Sequence, residues 1–157
     1  MADQAVIYGG AGADSGAGSG VGGAGGASPR LGVPGRAGWT LGLFRGVATL
    51  YALAAVAQPF LAGLFLSGSF SALKAHEVTG QAVGGLGILT LICAILLWRV
   101  GGGPVAAVRI SGGLLVGVVL QILLGYDRLL ALHVPLGVAL VAGIGRLGFF
   151  AWRQAGK

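Results

Sequence analysis

The chain has 157 residues, 55% of them hydrophobic and 9% charged, with a formal net charge of +6. A soluble surface needs a charged fraction nearer ~25%, so this chain is too poor in charge for water and a lipid bilayer is its natural solvent. Its basic residues cap apolar runs and form no patch with interleaved aromatics, which excludes nucleic acid as a partner.

Residues 1–38 form a low-complexity tail, and its stretch from Gly9-Gly10-Ala11-Gly12 to Gly25-Gly26-Ala27-Ser28 is nearly all Gly, Ala and Ser. Such a segment buries too little apolar surface to offset its ordering entropy, so it is expected to be disordered. It has no basic segment followed by an apolar one, as a signal peptide would. With neither a preceding strand nor a Lys-Ser/Thr pair, its glycines carry no phosphate-binding signal.

Residues 39–157 hold four apolar segments, at about 41–66, 72–100, 105–126 and 129–152. Each is long enough for a hydrocarbon core of about 30 Å. The spacers are short: Ser67 to Ser71, Gly101-Gly102-Gly103-Pro104, and Asp127-Arg128. Short connections force successive helices to pack antiparallel. The expected fold is therefore all-α, a four-helix transmembrane bundle running up-down-up-down in the cell membrane. Placing both termini in the cytoplasm puts Arg30, Arg36, Arg45, Arg99, Arg109, Arg146, Arg153 and Lys157 on or toward that side. Only Lys74 and Arg128 then lie outside, a positive-inside bias. Trp39, Trp98 and Trp152 fall at the inner interface, where amphipathic rings are favoured. Arg45, Arg109 and Arg146 are explained by snorkelling to it. Cys93 is a lone cysteine in an apolar run and is read as a packing residue.

The two halves of this domain repeat. Helices one and two carry Arg45, Gln58, Gly63, His76, Gly80 and Trp98-Arg99. Helices three and four carry Arg109, Gln121, Gly125, His133, Gly137 and Trp152-Arg153. Both histidines open a His-x3-Gly motif. Topology brings Gln58, Gln121, His76 and His133 to one outer level of the bundle.

Paired histidines on facing helices suit the two axial positions of a haem iron. Gly80 and Gly137, one turn beyond each histidine on the same face, would let a flat macrocycle approach the backbone. Lys74 and Arg128 are the outer basic residues available to propionates. Gln58 and Gln121 could bond a propionate or orient an imidazole. Two other accounts compete. The glycine faces Gly80-x3-Gly84 and Gly113-x3-Gly117 also suit plain helix packing, with the histidines at the headgroups. A small metal site or pH sensor of His76, Glu77 and His133 needs Glu77 to lean back from about 100° away around the helix.

The stretch Gln58-Pro59-Phe60-Leu61-Ala62-Gly63 with His76, and Gln121-Ile122-Leu123-Leu124-Gly125 with His133, resembles one half of haem A synthase. That family has two four-helix halves with haem-ligating histidines in the even helices. The order Gln-Gly-His-Gly is also similar to that of a family of small uncharacterised four-helix bacterial membrane proteins. The resemblance covers about residues 42–153. The Glu-x2-His-Arg type of motif is absent, so haem A synthesis is not implied. What the resemblance implies is one bis-histidine b-type haem, held near the outer face for electron transfer. The expected partners are the bilayer, a membrane redox protein or quinone, and a second copy of the chain. The competing expectation is a cofactor-free structural or accessory membrane protein acting through a partner, and catalytic residues are expected in neither case.

Overall fold

The computed structural model describes residues 35–154. The expectation of a disordered tail over residues 1–38 falls mostly outside this range, although residues 36–38 already belong to the first helix.

Four helices make up the described chain: α1 (Arg36–Leu66), α2 (Phe70–Arg99), α3 (Val105–Tyr126) and α4 (Leu130–Arg153). The expected bundle is thus the observed one. Its boundaries move little, apart from α1, which starts five residues ahead of Leu41. All four helices are long and apolar enough to cross a membrane. Each is apolar around its whole circumference, which is what a lipid-facing helix requires. Leu50, Leu53, Val56, Phe60, Val116, Val138 and Phe149 are among the large apolar side chains left exposed. In water such a belt would drive aggregation.

The helices pack as a closed ring, α1 on α2, α2 on α3, α3 on α4 and α4 on α1, with no close backbone approach across either diagonal. α2 and α4 therefore stand opposite each other, and so do α1 and α3. The buried positions explain this geometry. On α1 they are Phe44, Ala48, Tyr51 and Ala55, on α2 Val83, Gly87, Thr90, Ala94 and Leu97, and on α4 Leu140, Ile144, Leu147 and Ala151. Spacings alternating between four and three residues are those of knobs-into-holes packing. Cys93 is buried beside Ala94, in line with its expected packing role.

One half of the bundle is solid and the other is not. Beyond Ala55, Val83, Val118 and Leu140, toward the α1–α2 and α3–α4 turns, Ala72 is the one buried hydrophobic side chain among the described residues. This end of the bundle is called the hairpin end below.

At the opposite end, Arg45 does more than snorkel. Its Nε donates to the Ala151 carbonyl at 3.2 Å, and Nη2 donates to the Gln154 carbonyl. The guanidinium also lies 5.3 Å from the centre of the Trp152 ring, whose Nε1 donates to Thr49 Oγ1 at 3.0 Å. The last carbonyls of a helix have no partner within the helix and carry its negative dipole end. Arg45 satisfies them from α1 and so closes the ring between the first and last helices. Arg109 and Arg146 are exposed, as snorkelling side chains would be.

Arg45→Ala is expected to lower unfolding stability in detergent by about 1–3 kcal/mol, the range for charge-assisted hydrogen bonds. Arg45→Lys should recover only part of this, since an ammonium cannot reach two carbonyls as a planar fork does. Thermal unfolding of the purified variants checks both.

Candidate functional site

The hairpin end encloses a cavity of about 730 Å³. That volume lies within the range of ~300–1,000 Å³ typical of small-molecule and cofactor sites. All four helices line it. Ala55, Val83, Val118, Leu140 and Ile144 form its floor, and most of its wall is apolar. The polar members are few, and the histidines are central among them.

His76 and His133 are brought together from the opposed helices α2 and α4. Their ring centroids are 6.3 Å apart, with the planes inclined at 64°. Each ring is fixed by its neighbouring odd helix. His76 Nδ1 is 3.1 Å from the Gln58 carbonyl oxygen, and His133 Nδ1 is 2.9 Å from that of Gln121. A carbonyl can only accept, so each Nδ1 carries the proton and donates. In the neutral ring each Nε2 is then the lone-pair atom, and neither makes a hydrogen bond among the described residues. This is the tautomer and the backbone tether that metal-bound histidines use.

The glutamines act twice. Their carbonyls hold the imidazole, and their side-chain amides grip the backbone of the same histidine. Gln121 Nε2 donates to the His133 carbonyl at 2.9 Å. Gln58 matches it with its amide in the equivalent orientation. Its nitrogen then donates to the His76 carbonyl at 3.2 Å, and its oxygen accepts from the Thr79 hydroxyl at 2.7 Å. The halves differ at one point. Thr79 lies three residues after His76, while Leu136 lies three after His133, so Gln121 Oε1 is buried with no partner among the described residues.

Gly80 and Gly137 line the cavity, but their missing side chains make room for these amides. A Cβ on Gly80 would stand 3.4 Å from the Gln58 amide atom that faces the His76 carbonyl, and one on Gly137 2.8 Å from Gln121 Nε2. Gly125 is the glycine closest to a histidine. A Cβ there would come within 2.9 Å of His133 Cε1. The sequence repeat pairs Gly125 with Gly63, yet Gly63 has open space around it. Gly125 is four residues past Gln121, and the residue four past Gln58 is Ala62.

The basic residues separate. Lys74 is exposed, forms an ion pair with Glu77 at 3.0 Å and does not line the cavity. Arg128 does line it. Glu77, Gln81 and Tyr126 also border the cavity, and Gln81 Nε2 donates to the Tyr126 hydroxyl at 3.0 Å, joining α2 to α3 at the rim. Nothing in the repeat singled out Gln81, Tyr126 or Thr79. Among the described residues no three His, Cys, Asp or Glu side chains cluster as a metal site would need.

A ring of four membrane-length helices around an apolar, histidine-bearing cavity defines an integral membrane helical protein. The chain matches no protein-family model, no curated protein and no solved structure.

Gly125→Ala is expected to push the His133 ring out of position and to cost about 1–3 kcal/mol as an overpacking change. Gly63→Ala should instead be neutral or stabilising by up to about 1 kcal/mol, since alanine is the better helix former. Unfolding midpoints of the two variants, measured side by side, test the contrast.

Proposed function

We propose that the chain is a multi-pass membrane protein with cytoplasmic termini that holds one b-type haem between His76 and His133. Its role is electron transfer near the outer face, to or from a quinone or a membrane redox partner. The observation that carries this reading is the tethered pair of imidazoles, with ring centroids 6.3 Å apart, in a largely apolar cavity.

Two features support it. Two imidazoles sharing one metal, with metal–nitrogen bonds of about 2 Å, have ring centroids roughly 6 Å apart. The separation here is 6.3 Å. Two protein ligands are also too few for a bare metal site, which takes three or four. A macrocycle brings its own remaining ligands, so two histidines suffice.

The residues divide the work. His76 and His133 would hold the haem iron through their Nε2 atoms. The Gln58 and Gln121 carbonyls fix each tautomer and ring orientation through the Nδ1–H bond. The floor residues and the walls of α1 and α3 keep water from the site. When bound, the haem supplies reversible one-electron exchange, at a potential governed by axial ligands, hydrogen bonding and burial.

The protein, produced with an ample haem supply and purified in detergent, is expected to show a bis-imidazole absorption spectrum in both oxidation states. His76→Ala and His133→Ala should each lose that spectrum. Haem should also raise the unfolding midpoint of the wild-type chain and leave those of the two variants unchanged. Colourless, well-folded wild-type protein would sink the proposal in favour of a cofactor-free accessory role.

A further inference from the structure

We propose that Arg128 binds the acidic edge of the haem, its propionate carboxylates, and so selects one orientation in a site whose histidine pair alone accepts two. This rests on the haem reading above.

The argument begins with the two turns at the hairpin end. Both close their odd helix with the same pair of hydrogen bonds. Ser69 N–H donates to the Leu64 carbonyl at 3.1 Å and Gly68 N–H to that of Phe65 at 2.9 Å. In the second turn, Leu129 N–H donates to the Leu124 carbonyl at 3.0 Å and Arg128 N–H to that of Gly125 at 3.2 Å. This pattern puts one residue in the left-handed region, normally glycine. The first turn follows the rule with Gly68, at φ +100°. The second has Arg128, at φ +57°. An arginine there costs stability that a glycine would not. It is the one non-glycine residue with positive φ among the described residues.

The turns also differ in height above the histidines. In the first, Gln58 precedes the capping residue Ser67 by nine positions and His76 follows Ser69 by seven. In the second, Gln121 precedes Asp127 by six and His133 follows Leu129 by four. The second hairpin is therefore three residues shorter on each arm, about 4.5 Å at the helical rise. The lower rim brings Arg128 close to the histidine level.

Charge completes the picture. Among the described residues, Arg128 and Glu77 are the only Arg, Lys, Asp or Glu residues that line the cavity. Glu77 is neutralised by Lys74. The Arg128 side chain makes no hydrogen bond or ion pair among the described residues, and the adjacent Asp127 forms no ion pair with it. Arg128, exposed at the rim, is thus the one cation lining the cavity among the described residues and has no ion-pair partner there, on one side of a nearly twofold-symmetric pair of imidazoles. A guanidinium is the group best shaped to take a carboxylate through two parallel bonds. Arg128 is a positioning residue, outside the axial ligation.

The test uses full-length wild type, Arg128→Gly and Arg128→Lys in detergent, titrated with iron protoporphyrin IX and with its dimethyl ester. Arg128→Gly should lose about tenfold or more in affinity for the free acid. It should bind the ester, which has no carboxylates, as the wild type does. Its haem-free form should melt at a higher temperature than wild type, because glycine suits the left-handed position. Nuclear magnetic resonance of the oxidised complex should show one dominant set of haem methyl signals in wild type and two sets in Arg128→Gly. Arg128→Lys should fall between the two. Equal affinity of wild type and Arg128→Gly for the free acid, with unchanged methyl signals, would overturn the role of Arg128 and leave the haem site standing. Failure of wild type to bind either porphyrin would overturn both.

Discussion

A helical carbonyl oxygen has two lone pairs, and the helix uses one of them. In this bundle the spare lone pairs of Gln58 and Gln121 hold the imidazoles of His76 and His133 through Nδ1. Everything at the hairpin end depends on those two bonds. They fix the tautomer, so Nε2 carries the free lone pair. They also tie each even helix to the odd helix before it, at one level. The glutamine amides then close on the histidine carbonyls and occupy the space opened by Gly80 and Gly137. One residue type, placed once per half, sets ring orientation, helix spacing and the need for a glycine opposite.

The division of the bundle into a packed half and a cavity follows from which residues stand on the heptad positions. From Ala55 and Val83 toward the termini, the inward positions are mostly apolar or small; Thr90 donates to the Leu86 carbonyl at 2.7 Å, while the buried Tyr51 and Ser111 hydroxyls have no partner among the described residues. Lipid offers no hydrophobic drive for helices to associate, so close packing has to hold them. That packing is visible at Gly117 against Leu140 and at Gly143 against Leu114. In the hairpin half glycine, glutamine and histidine take inward positions among apolar side chains that stay only partly buried, and the ring of helices stays open. Its integrity there relies on hydrogen bonds between neighbours, including Gln81 to Tyr126. Arg45, clamping the end of α4, performs the same closing task at the far end.

The two halves are related but have diverged where function would show. Thr79 answers the Gln58 amide, and Leu136 leaves Gln121 Oε1 without a partner. Ala62 stands where Gly125 admits the His133 ring. Gly68 turns the first hairpin, and Arg128 turns the second at a cost in backbone strain. All three differences lie on or beside the cavity wall, whereas the packed half repeats its spacing faithfully.

Four helices, their approximate ends and their antiparallel order were legible in the sequence, because apolar runs of membrane length joined by short spacers allow few other arrangements. So was the correspondence of His76 with His133 and of Gln58 with Gln121 in the repeat, since polar residues are scarce here and recur in one order. Their individual tasks were not legible. A sequence cannot show that Gly80 yields to an amide, that Lys74 is taken up by Glu77, or that Gly63 is not the equivalent of Gly125. Each of these depends on helix rotation and on hairpin length, where three residues move a side chain by about 4.5 Å along the axis and most of a turn around it. The bundle and its polar inventory were thus set by composition and spacing. The facing of the rings, the cavity and the place of Arg128 at its rim were decided only when the four helices packed.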